Sequence, residues 1–282
     1  MEVDFTQRWR ERRAVFLQKQ IFFNPRRYEV EKIPIKLAAD WIIKNHYLGS
    51  FPSATVCYGI FRSGELAGVA VLGTAQHKNT IPNVFGLAHS KDCLLLQRFA
   101  LGDALEFNAE SYFLARVRAK LKREGFCGIL TMSDETPKTD VLGNVIFPGH
   151  IGTIFKSDNA VYLGRTSKSD EYLFPDGIVL SNRSFSKLVN DESGWSYMAQ
   201  KFESYGASKC PQAASEKREW GFYWRGQLTR KQRNSGKLRY AWSLHPKIVL
   251  PKSLPYPRLR LGDTQPRLLE LTFSSSMLED LP

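Results

Sequence analysis

A chain of 282 residues with 43% hydrophobic and 12% aromatic side chains carries enough apolar surface for one sizeable packed core. Its net charge of +12 points to polyanionic partners, nucleic acid first, with a solvated basic face as the plainer alternative. The four cysteines, Cys57, Cys93, Cys127 and Cys210, form no CxxC pair, so their spacing supports neither a zinc knuckle nor a disulfide framework.

The opening MEVDFTQRWRERR is charged where a signal peptide would be apolar, and residues 1–32 read as a basic, aromatic arm carrying Arg8, Arg10, Arg12, Arg13, Arg26 and Arg27. Residues 33–45 follow as an amphipathic helix ending in NHYLGSFPS at 45–53, where His46 and Tyr47 stand side by side before a Gly-Ser-Phe-Pro break. The runs TVCYGIF at 55–61 and LAGVAVLG at 66–73 flank Arg62-Ser63-Gly64-Glu65 and predict a hairpin. CLLLQRFAL at 93–101 predicts a buried strand. Residues 108–124 predict a helix capped by Asn108, with Phe113, Val117 and Leu121 on one face and Gly125 as its stop. FCGILTM at 126–132 is a further strand that delivers Ser133, Asp134 and Glu135 at its end. A short helix in GHIGTIF, a strand in AVYLGRT, extended chain at 177–180 and a helix at 192–205 follow. Residues 217–247 interleave Trp220, Phe222, Tyr223, Trp224, Tyr240 and Trp242 with basic side chains, and Asn234-Ser235-Gly236 suggests a hairpin there. From residue 251 the chain is Pro-rich and is expected to lie over the surface.

That order predicts an α/β fold, a mixed central sheet with helices on both faces. The expected divisions are an arm at 1–32, a catalytic domain at 33–250 and a tail at 251–282. No apolar run reaches the roughly 20 residues of a membrane span, so a cytoplasmic protein without a membrane partner is expected.

The words NHYLGSFPSA at 45–54, LQRFALGDALEFNAESYFL at 96–114, SDE at 133–135 and GHIGTIFKSDNAVYLGRT at 149–166 resemble the Mom family of bacteriophage DNA-modification proteins, which share the GNAT acyltransferase fold. DGIVLSNRSFSKL at 176–188 and GKLRYAW at 236–242 extend the resemblance, which spans residues 34–245. It implies a GNAT-like sheet, double-stranded DNA as partner, and addition of a carbamoylmethyl-type group to the exocyclic amine of adenine, which blocks host restriction enzymes.

An adenine amine is a weak nucleophile because its lone pair is delocalised into the ring. Modifying it requires a proton acceptor, a positioned electrophile and a slot for the base, which must first leave the duplex stack. Asp134, just past a buried strand, is the first candidate for acceptor or base; the plainer reading is a turn-forming Asp. Arg98, flanked by apolar residues, is either an anion anchor or a structural partner of Asp103 or Glu110. Asn108 and Ser111 open the main helix, where backbone amides favour an anion. In GNAT acyltransferases the pyrophosphate of coenzyme A docks there through a Q/R-x-x-G-x-G/A loop. The resemblance therefore implies acetyl-CoA or another acyl donor, with Arg98, Gly102, Asn108 and Tyr162 beside it. Gly102 and Ala104 are present, but the spacing from Arg98 is off by one and the loop is longer.

His150, in the word GHIG, is a candidate for a direct role or an incidental loop residue, and Tyr162 for a site residue or a core aromatic. His46 and Tyr47 are expected to hold the base rather than perform the chemistry. Arg225, Arg230, Lys231, Arg233, Lys237 and Arg239 are the expected DNA contacts, with aromatics between them as stacking platforms or core side chains. His46, His77, His89, His150 and His245 show no HxxxH or HxH spacing, so no metal is expected, although convergence of His46, His150 and Asp134 in space stays open. The alternative functions are an acyl-CoA-dependent N-acetyltransferase of a protein or small amine, and a non-catalytic DNA-binding protein on the same fold.

Overall fold

The computed structural model describes residues 5–10, 13–18, 23–46, 48–75, 79–86, 90–102, 105–106, 108–147 and 149–258. Strands β1 (Phe5–Arg10) and β2 (Arg13–Gln18) pair antiparallel as a hairpin. β3 (Tyr28–Ile33) opens the main sheet and leads into α1 (Ile35–Asn45). β4 (Val56–Arg62) and β5 (Glu65–Gly73) form the expected hairpin, followed by α2 (Thr80–Phe85) and β6 (Cys93–Leu101). α3 (Ala109–Arg123) then connects β6 to β7 (Gly128–Ser133). A small hairpin of β8 (Lys138–Thr139) and β9 (Val145–Phe147) precedes α4 (Thr153–Ser157), β10 (Val161–Arg165) and β11 (Ser169–Leu173). Helices α5 (Asn182–Val189), α6 (Ser196–Ser204) and α7 (Ala214–Leu228) lead to β12 (Arg230–Asn234) and β13 (Leu238–Ser243).

The main sheet has seven strands in the order β10-β13-β7-β6-β5-β4-β3. Every neighbouring pair is antiparallel except β6 and β7, which run parallel and are joined by α3. Alternation along the strands sorts the side chains between two faces. Tyr58, Ile60, Leu94, Leu96 and Ile129 pack with Phe113, Val117 and Leu121 of α3. Cys57, Val69 and Val71 pack on the other face with Ala38 and Ile42 of α1, while Cys93 and Leu130 meet Ile81 and Phe85 of α2. Each large apolar side chain buried in this way contributes about 1.5–3 kcal/mol relative to exposure. The mixed sheet covered on both faces is the fold class expected from the order of elements.

A second core lies outside the sheet. Phe185, Leu188, Met198 and Phe202 from α5 and α6 pack with Phe174, and Trp220, Trp224 and Leu228 of α7 close over them. Here the structure departs from the expected hairpin. Trp220, Trp224 and Leu228 recur every fourth residue, which is helical spacing, and they form one face of α7. β12 and β13 do not pair with each other: β12 pairs with β11, and β13 lies between β10 and β7. Between them the side chain of Asn234 accepts a hydrogen bond from Gly236 N at 2.8 Å, and Gly236 takes φ 98°, so the chain turns from one sheet into the other. A smaller difference concerns the edge: residues 28–32, assigned to the arm from sequence, belong to the edge strand β3, while the extended chain at 177–180 makes a single bridge, Leu173 to Val179. Beyond β13 the tail crosses β10, where Leu254 N donates to Tyr162 O at 3.0 Å.

Candidate active site

The parallel strands β6 and β7 pair only from Cys93/Gly128 to Leu96/Thr131, and Thr131 Oγ1 donates to Leu96 O at 3.1 Å at the last rung. Beyond that point the two carboxyl ends part, which is where open α/β sheets place their ligand crevice. A bulge makes this end usable. The register of β5 with β6 steps from Leu72/Leu96 to Val71/Arg98, so Gln97 is an extra residue. Without it, Arg98 would share the face of Leu96 and enter the core against α3. With it, Arg98 turns toward the loop after α1. Its Nε donates to Ser50 O and its Nη2 to Ser50 Oγ, both at 3.3 Å, and its Nη1 donates to Gln97 O at 2.8 Å.

That loop carries His46, buried at the end of α1. Leu48 N donates to His46 Nδ1 at 3.1 Å, which leaves the neutral ring's proton on Nε2. From the other side comes the segment after β7. Asp134 accepts from Thr136 N at 3.0 Å, from Asn234 Nδ2 at 3.1 Å to each oxygen, and pairs with Lys138 Nζ at 3.3 Å. Lys138, 5% exposed, is also paired with Glu171. The carbonyl of Asp134 accepts from His150 N at 2.8 Å, so the same residue holds the histidine loop. The ring of His150 meets Phe147 edge-on, with centroids 5.8 Å apart, and neither of its nitrogens takes a hydrogen bond among the described residues.

His46, Arg98, His150 and Asp134 thus lie close enough to act on one another electrostatically. Burial holds His46 well below its usual value, with the Arg98 cation and His150 adding to the effect. Burial lowers His150 to about 4, partly opposed by the carboxylate of Asp134. Both imidazoles are therefore neutral at pH 7. On unfolding each recovers a value near 6.5 and binds a proton that the folded state refuses. For His150 stability consequently rises with pH from about 4 to 6.5 and is lost on acidification, by up to about 1.4 kcal/mol per pH unit, and His46 acts in the same direction. Urea midpoints measured across that window should show this slope, and His150→Gln should lose part of it.

The loop that carries His150 depends on a glycine. Gly149 has φ 81°, and a Cβ there would stand 2.2 Å from the carbonyl oxygen of Glu135. Gly149→Ala should destabilise the protein by about 3 kcal/mol in urea unfolding and displace His150, so modification should fall with stability.

The other sequence candidates separate from this cluster. Tyr47, Asp103 and Ala104 lie outside the described residues. Ser111 sits in the first turn of α3. Asn108 precedes α3 with φ 73° and makes no side-chain cap, so its expected capping role is replaced by a left-handed turn at the helix entrance. Gly102 N donates to Ala67 O at 2.7 Å. Two residues before Asn108, Glu106 is buried and paired with Arg62 at 3.1 Å. Glu106 sits in the loop whose length departs from the acyltransferase pattern, and its charge is offset by Arg62 and Arg27. No step below runs through coenzyme A. Tyr162 packs in the core, its ring 5.3 Å from that of Tyr240.

Among the basic candidates, Arg225 lies over the rings of Tyr172, Phe185 and Phe222, and Arg230 donates to Thr139 O at 2.7 Å. Arg239 donates to Leu163 O at 3.0 Å, and Lys237 approaches Glu171 at 3.8 Å. Lys231 and Arg233 share Asp170 at 2.9 Å each and remain more than half exposed. Lys138, Glu171 and Asn234 were missed from sequence. Lys138 stands four residues after Asp134, but Asn234 reaches Asp134 only through the sheet-to-sheet turn. Among the described residues, no three His, Cys, Asp or Glu side chains are grouped to hold a metal ion.

The structure thus defines a mixed α/β protein with two neighbouring histidines beside the point where its two parallel strands cease to pair. The chain belongs to the Mom protein family, whose model matches residues 27–248. No curated protein matches the chain. In outline it is similar to solved acetyltransferases. A tandem GNAT protein from the clavulanic acid biosynthesis pathway is 7% identical over 78% of this chain and 99% of its own, with a TM-score of 0.39. An IAA acetyltransferase from Bacillus cereus is 9% identical over 77% of this chain and 99% of its own, at 0.34. A Bacillus subtilis acetyltransferase in complex with CoA is 11% identical over 77% and 97%, at 0.32.

Proposed function

We propose that the protein is a transferase acting on double-stranded DNA, adding a carbamoylmethyl-type group to the exocyclic amine of adenine and so shielding the DNA from restriction. The observation that carries this reading is the pair of neutral histidines beside Arg98, one with its proton directed by Leu48 and one whose ring nitrogens take no hydrogen bond among the described residues. His46 Nε2–H donates to a ring nitrogen of the extruded adenine and fixes its orientation. His150 accepts a proton from the amine as the nitrogen forms its bond to the donor carbon. The donor's leaving group departs with the electron pair of the broken bond, and the Arg98 cation offsets the charge that develops there. Asp134 acts behind them, holding the His150 loop through its carbonyl and tethering Lys138 and Asn234 through its carboxylate.

Mass spectrometry of nucleosides from the DNA of cells expressing the protein tests this reading. A mass-shifted deoxyadenosine supports it, and unmodified DNA at good expression counts against it. The net charge of +12 adds a second expectation. Affinity for duplex DNA should fall steeply with salt, with a log–log slope of about −0.9 for each phosphate contacted, and an affinity indifferent to salt would contradict DNA as the substrate.

A further inference from the structure

Between Asp134 and His150 the chain projects a small, rigid finger built from β8 and β9. Its tip carries Val141, Leu142 and Val145, which are 64%, 83% and 58% exposed. Three apolar side chains held into water on a well-ordered tip are a poor arrangement unless something receives them. The tip is locked from within. Asp140 Oδ1 accepts from Leu142 N at 2.9 Å and from Asn144 N at 2.8 Å, Oδ2 accepts from Asn144 Nδ2 at 2.8 Å, and Asp140 N donates to Asn144 O at 3.0 Å. Val141 N is braced on Pro175 O at 2.9 Å. The base is equally fixed: Arg230 grips Thr139 O and Oγ1 at 2.7 and 2.9 Å, and Gln232 Nε2 donates to Pro137 O at 2.7 Å.

The finger is part of the site. It begins at Lys138, which is paired with Asp134, and ends at Phe147, whose ring touches that of His150. The ribbon of β11 and β12 at its base carries the exposed cations Lys231 and Arg233. We propose that this finger is the wedge that opens the duplex: Leu142, flanked by Val141 and Val145, enters the base stack and fills the space left by the adenine that swings into the crevice. Apolar side chains inserted between base steps are a general means of unstacking DNA, and an enzyme acting on a base must take that base out of the stack. A duplex fits this tip better than a protein groove does, because the finger is flanked at its base by the exposed cations Lys231 and Arg233 and leads back through Phe147 to His150. The inference rests on adenine modification as the activity.

The test uses the full chain and two substrates. In the first, 2-aminopurine replaces adenine in a paired duplex whose flanks are taken from modified sites in plasmid DNA. In the second the same position lies opposite an abasic site, where it is already poorly stacked. Wild-type protein should brighten both. The variant Val141→Ala/Leu142→Ala, altered only at exposed positions, should brighten the paired duplex at least about tenfold less, should modify plasmid DNA in cells less by a similar factor, and should match wild type on the abasic duplex. Leu142→Met should stay near wild type. A double variant that brightens the paired duplex and modifies plasmid DNA as wild type does overturns the wedge alone. Equal loss on both duplexes also overturns it, since the tip would then act on something other than extrusion. If wild type modifies no adenine, the reading of the activity fails first, and the wedge falls with it.

Discussion

His150→Gln should reduce adenine modification at least about a hundredfold while the protein remains folded, because it removes the proton acceptor and keeps a side chain of similar polarity. The expectation rests on the state of the ring. Burial keeps His150 unprotonated down to about pH 4, and its nitrogens take no hydrogen bond among the described residues, so its lone pair is available to a substrate. His46 cannot take the same part, because Leu48 N occupies the nitrogen that would accept. His46→Gln should therefore weaken binding of the target base more than it slows transfer. Nucleoside mass spectrometry with a circular-dichroism control on each purified variant separates loss of chemistry from loss of fold.

Asp134→Ala should abolish modification for a different reason, by destabilising the protein by about 3–5 kcal/mol. The substitution leaves Asn234 Nδ2 and Thr136 N without their acceptor and leaves Lys138, 5% exposed, with Glu171 as its carboxylate partner. Asp134→Asn keeps an oxygen for Thr136 N and keeps the turn, so it should cost less stability and retain partial modification. Were Asp134 itself the base, Asn and Ala would be equally inactive and Asn would be almost as stable as wild type. Urea unfolding and modification measured on both variants distinguish the two cases.

The strands and main helices could be read from the sequence where periodicity and punctuation agree. CLLLQRFAL reads as a strand because its apolar run is bounded, and the helix after Asn108 reads from Phe113, Val117 and Leu121 on one face. The second core could not be read as easily, since the aromatics of α7 are interleaved with basic residues and mimic a stranded pattern. Its signal lies in Trp220, Trp224 and Leu228, spaced by four. The site shows the same division. His46 and Asp134 were visible as polar residues at the ends of apolar elements, Arg98 as a cation flanked by apolar residues, and His150 through the word GHIG. What a linear pattern cannot show is the bulge at Gln97 that turns Arg98 toward Ser50, nor the burial that makes both histidines neutral. The union of Asp134 with Asn234, 100 residues away, depends on a turn between two sheets. The finger was hidden for a simpler reason: β8 and β9 are two and three residues long, too short for any period.

The proposed function has His150 take the proton from an adenine amine held beside the point where β6 and β7 cease to pair. Its most direct test is the amount of mass-shifted deoxyadenosine in DNA from cells expressing equal, folded amounts of wild-type and His150→Gln protein. Wild type should give a clear adduct and the variant at most about one-hundredth of it. An adduct of equal size in both, or none in either, would contradict it.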